Sequence, residues 1–95
     1  MTLVQSTIRR GSPLTLAVVC QDAAGRPLDI AVRPVVLVTA AKGARVEPSP
    51  YRGEFRITCP AAELGDGIEI GVFLGDYASP SHREPLFLYR ARVEP

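Results

Sequence analysis

A chain of 95 residues, 46% hydrophobic and with a formal net charge of +1, has room for one small domain, spanning 1–95, with a single core. The apolar share excludes intrinsic disorder. The near-neutral balance excludes a global electrostatic attraction to nucleic acid or to a membrane surface.

Nine prolines and eight glycines, spread along the chain, suit short strands joined by frequent turns rather than long helices. The N-terminus shows no apolar stretch preceded by positive charge, and no apolar run approaches the ~20 residues of a transmembrane helix. The expectation is synthesis in a cytosol, where Cys20 and Cys59 stay as thiols.

Residues 2–9 read as a first strand with Val4, Ser6 and Ile8 on one face, because successive side chains of an extended chain point to opposite sides. Arg9-Arg10-Gly11-Ser12-Pro13 breaks it. Leu14, Leu16, Val18 and Cys20 then share one face of a strand over 13–21. That strand reads as central, followed by a tight turn at Asp22 to Gly25 and a return past Pro27, which has no N–H to give to a ladder. The stretch 31–40 is rich in β-branched residues and apolar on both faces, as for a strand covered on both sides or lying at a subunit contact. Pro34 restricts it to starting after that residue or to lying at an edge.

Residues 41–44 read as a turn and 45–50 as an extended, proline-punctuated connection. The clearest alternation is Tyr51, Gly53, Phe55, Ile57 and Cys59 against Arg52, Glu54, Arg56 and Thr58, an apolar face and a charged one. Pro60 to Gly67 predicts a single helical turn, with Pro60 near its start and Gly65 near its end. Ile68, Ile70, Val72 and Leu74 alternate with Glu69, Gly71, Phe73 and Gly75; two glycines on one face predict a bulge or a close neighbour. Residues 75–85 read as an exposed loop. The last strand, Leu86 to Val93, places Phe87, Tyr89, Ala91 and Val93 on one face, with Leu86, Leu88, Arg90 and Arg92 on the other. Six to seven short strands with no helical period beyond one turn predict an all-β fold. Its simplest form is an immunoglobulin-like antiparallel two-sheet β-sandwich, with a small closed barrel as the other solution.

The chemistry-bearing residues form no constellation. His82 is the single histidine, and a serine beside it in sequence makes no triad, since triads are defined by spatial roles. The two cysteines and one histidine lack zinc spacing, and the aspartates lack calcium-loop order. Gly65-Asp66-Gly67 precedes a strand rather than a helix, so it is no phosphate loop. Arg52 and Arg56 are split by Glu54, which spoils a nucleic-acid face. The expectation is no enzyme, no metal and no cofactor. Cys20 and Cys59 could meet as in antibody domains if their strands lie in opposite sheets. The tryptophan that such domains pack against the bridge is missing, so buried free thiols are the favoured reading.

The informative surface signal is apolar. A two-sheet sandwich buries one face of each sheet, yet several strands here are apolar on both. Val35, Leu37, Phe73, Leu86 and Leu88 are therefore candidates for protein contact, with Tyr77 in the loop 76–85 as a further one.

The order of features resembles small β-sandwich virion proteins of tailed bacteriophages, including N-terminal domains of baseplate and receptor-binding proteins. The likeness is carried by Arg10-Gly11-Ser12, an alternating strand, then Asp22-Ala23-Ala24-Gly25-Arg26-Pro27-Leu28-Asp29 and an apolar strand. In the second half it continues through Tyr51 to Ile57, Pro60 to Leu64, Gly67 with the strand after it, and Tyr89 to Pro95. The resemblance implies a non-enzymatic structural subunit of a virion, made in the host bacterial cytoplasm and most readily placed at the tail or baseplate. Its partners would be other virion subunits or further copies of itself, with neither nucleic acid nor membrane. Such modules usually continue into a fibre or receptor-binding region, whereas this sequence stops at Pro95, which brings in capsid decoration as an alternative. A soluble glycan- or protein-binding module is the competing class.

Overall fold

The computed structural model describes residues 2–21, 23–27, 33–75 and 81–95. Among them are β1 (Thr2–Arg9), β2 (Leu14–Val19), β3 (Val35–Thr39), β4 (Arg45–Pro48), β5 (Glu54–Cys59), β6 (Gly67–Leu74) and β7 (Glu84–Glu94), with a 3-10 turn at Ala61–Glu63. The fold is all-β. One sheet has the order β1-β7-β6-β3 and the other β2-β5-β4, and the two pack face to face. Every described pairing is antiparallel except β1 with β7, which run parallel.

The core follows from period-two sorting. Phe55, Ile57 and Cys59 of β5 point inward against Ile70 and Val72 of β6 and Tyr89, Ala91 and Val93 of β7. Phe55, Ile57, Ile70 and Val72 are wholly buried, each worth roughly 1.5–3 kcal/mol of transfer free energy. The one hydroxyl in this layer is on Tyr89, and it is satisfied by a hydrogen bond with Ser6 Oγ of β1. Leu64, at the end of the 3-10 turn that Pro60 opens, closes one end of the core.

Several expectations are corrected. The strand at 14–19 is an edge strand, and β5 occupies the centre of the three-stranded sheet. β5 alternates buried Phe55, Ile57 and Cys59 with the polar Glu54, Arg56 and Thr58, whereas the outward row of β2, Thr15, Ala17 and Val19, is exposed. The connection at 45–48 is itself a strand, paired with β5. Tyr51 is not part of the buried row: it is 70% exposed. The Tyr51 carbonyl accepts from the Glu54 N–H at 3.2 Å in a turn that Gly53 completes at φ 74°, a conformation glycine adopts without steric cost.

β3 begins directly after Pro34, one of the two positions allowed for it. Gln21 and Pro27 form an antiparallel bridge, so the chain does fold back after β2. Asp22 of the expected tight turn, and residues 28–32, lie outside the described residues.

The glycines of β6 predict a bulge or a close neighbour; Phe73 lies close to Gly71, and a bulge is present opposite them, with its extra residue on β7. Val72 pairs with Phe87 but Phe73 pairs with Pro85, leaving Leu86 as the extra residue. An extra residue interrupts strict alternation, so Leu86 packs against the core beside Phe87 rather than standing outward with Leu88. β7 also starts earlier than expected, at Glu84.

Candidate interaction surface

The outward face of the four-stranded sheet can be assembled from the pairing registers. Leu3 lies beside Leu88, Leu88 beside Gly71, and Gly71 beside Val38. These residues form one row across all four strands. Phe73 and Val36 stand next in line toward one end. Leu3 is 47% and Val38 51% exposed, and Val36, Phe73 and Leu88 are half-buried.

Gly71 makes this patch smooth. A Cβ placed there would stand 2.9 Å from Phe73 Cε2, closer than carbon atoms approach. The glycine thus lets the ring lie across the sheet surface, covering backbone that would otherwise be bare.

The other half of the same face is polar. Gln5, Arg90 and Glu69 form the next row, then Thr7, Arg92 and Gly67. Arg90 Nε donates to Glu69 Oε2 at 3.3 Å, and Arg10 pairs with Asp66 at 2.9 Å at the margin. These cations already face carboxylates in solvent, so the shallow depression here has little excess charge to offer an anion.

Of the residues singled out by sequence, Phe73 and Leu88 come together on this outward face. Val35 and Leu37 are half-buried and pack against the core from β3, an edge strand of the sheet. Leu86 packs against the core through the bulge. Tyr77 lies outside the described residues. Leu3, Val36 and Val38 were missed. Their signal was Leu3 on the outward side of β1 and the apolar outward residues Val36 and Val38 of β3, but only the strand order shows that they adjoin Leu88 and Phe73.

The reactive groups are dispersed. Cys20 follows β2, while Cys59, at the end of β5, pairs with Leu14 at the start of β2. The two thiols therefore sit at opposite ends of one strand pair in one sheet, about 20 Å apart at ~3.4 Å per residue. A disulfide needs Cα atoms within about 7 Å, and both cysteines are free and buried. Burial pushes both thiols above their ordinary range, and the nearby Glu63 carboxylate pushes Cys59 further. Such thiols stay protonated and act as small apolar side chains. His82 is exposed, ahead of β7. Among the described residues no group of three His, Cys, Asp or Glu is placed to hold a metal, and no helix is long and apolar enough to cross a membrane. Comparison with protein-family models, curated proteins and solved structures finds no match.

Proposed function

We propose that this protein is a non-enzymatic structural subunit of a bacteriophage particle, tail- or baseplate-associated, that works by docking the outward face of its four-stranded sheet onto a neighbouring subunit. The observation that carries the reading is the apolar row Leu3-Leu88-Gly71-Val38 with Phe73 across it. Residues at the buried centre of an interface are apolar and aromatic with few charges, and the rim is polar. The patch and the adjoining Arg90–Glu69 row have that arrangement.

The sandwich is, in this reading, of the immunoglobulin-like kind. β2, β5 and β4 take the places of the B, E and D strands and β3, β6 and β7 those of C, F and G, with the first strand set beside the last. The sequence likeness to small phage sandwiches supports the particle assignment.

The test is density-gradient fractionation of phage particles from a host carrying the tagged gene. Wild-type protein co-sediments with the particles. Leu88→Asp leaves the circular dichroism and melting of the isolated protein unchanged but abolishes co-sedimentation. Appearance in a head fraction rather than a tail fraction reassigns the protein to capsid decoration. Wild-type protein absent from all particle fractions sinks the reading.

A further inference from the structure

Among the described residues, β1 and β3 end one sheet and β2 and β4 the other, and these edges are protected unequally. β4 carries Arg45 and Glu47 and ends at Pro48. β3 has five residues and follows Pro34. β2 has six residues and follows Pro13. Charges, proline and shortness are the devices that keep a strand from pairing with another molecule. β1 is without them until Arg9 at its end. It is eight residues long, pairs with β7 without a register shift, and carries neither charge nor proline from Thr2 to Ile8. All of its residues but Ile8 are exposed.

A second observation lies beside that edge. Val4, Leu16, Ala17, Val18, Val19 and Phe87 line a cleft of about 230 Å³ between the edges of the two sheets. Every lining residue is apolar, and Val4 and Val19 are 38% and 61% exposed. An open backbone edge beside an apolar trough is the arrangement that strand addition uses: main-chain hydrogen bonds bind, and alternate side chains fill the trough.

We propose that the occupant is β1 of a second copy, running antiparallel, so that two four-stranded sheets join into one across a twofold axis. An axis perpendicular to the sheet keeps Thr2, Val4, Ser6 and Ile8 of both copies on the cleft side. An axis through Gln5 sets Thr2 opposite Ile8 of the second copy, Leu3 opposite Thr7 and Val4 opposite Ser6. One contact then covers the clefts of both copies, as a self-complementary patch does. Charge favours this direction. Arg9 closes one end of the strand, while Arg10 beyond it is held by Asp66; antiparallel pairing sends the two Arg9 side chains apart, whereas parallel pairing would stack them. The junction is a single strand edge roughly 27 Å long, a narrow strip compared with the broad patches of ~800 Å² per partner in standard interfaces. Association therefore belongs to high concentration, or to a particle that holds copies side by side. The junction uses a different surface from Leu88 and Phe73 and goes beyond the docking reading.

The experiment is sedimentation equilibrium over a concentration series reaching the millimolar range, with amide hydrogen exchange at the same concentrations. The mass rises from 10.2 kDa toward twice that value, and the amides of residues 2–9 gain protection as it does. Val4→Lys puts a charge at the cleft and weakens dimerisation by about tenfold or more. Gln5→Lys, on the outward side, repeats the test if Val4→Lys loses its fold. Leu88→Asp still dimerises. A wild-type protein monomeric throughout overturns the proposal. So does a dimer indifferent to both lysine variants, or one abolished by Leu88→Asp, which would place the self-contact on the outward face and leave the docking reading standing.

Discussion

The two sheets turn similar faces toward each other and dissimilar faces toward solvent. Outside the three-stranded sheet, Thr15, Thr58 and Arg45 form one row and Ala17, Arg56 and Glu47 the next. Opposite charges adjoin there, and the Thr58 hydroxyl lies 3.5 Å from Glu47 Oε1. Outside the four-stranded sheet, the corresponding rows are half apolar, with a phenyl ring laid over a glycine. Folding requires only that the inward rows be apolar, and both sheets meet that. Nothing in the packing of the core requires Leu3, Val38 or Phe73 on the outside. On the proposed reading the difference between the faces concerns contact rather than stability, and it can be probed separately from the fold.

The largest effect belongs to what the faces share. Phe55→Ala empties a wholly buried site on the central β5 and should cost about 3–5 kcal/mol, seen as a drop in the urea midpoint. Against the ~5–15 kcal/mol of an ordinary domain, that is a large part of the fold. A middle effect separates stability from contact. In Gly71→Ala the new methyl meets the far edge of the Phe73 ring, which can swing aside. Stability should change by about 1 kcal/mol or less, while co-sedimentation with particles falls because the ring no longer lies flat. Unchanged co-sedimentation would remove Phe73 from the contact. The smallest effect tests the other face: Arg56→Ala should alter stability by no more than about 0.5 kcal/mol and leave co-sedimentation intact.

Strands were legible wherever alternation was strict and turn residues bounded it. β5 shows this best, with Phe55, Ile57 and Cys59 set against Arg56 and Thr58. The start of β3 was legible because proline lacks the donor a ladder needs. Position within a sheet was not legible: β2 alternates as well as a central strand would, and only its pairing to β5 alone shows it to be an edge. Leu86 was misplaced because one extra residue on β7 breaks the parity on which face assignment depends. Tyr51 was misplaced because a turn occupies the first three residues of the apparent alternation, and β5 starts only at Glu54. The proposed contact surface was half visible. Phe73 and Leu88 stood out as apolar residues on faces that ought to be wet. Their neighbours Leu3 and Val38 come from strands far away in sequence, and adjacency of that kind is a property of topology.

The parallel seating of β1 on β7 also governs when the fold can be finished. Ser6 and Tyr89, joined through their hydroxyls, are 83 positions apart, so β1 gains its hydrogen-bonded neighbour only after β7 has been made. Among the described strand pairings this one closes the longest stretch of chain, and a loop of that length is the costliest in entropy to close.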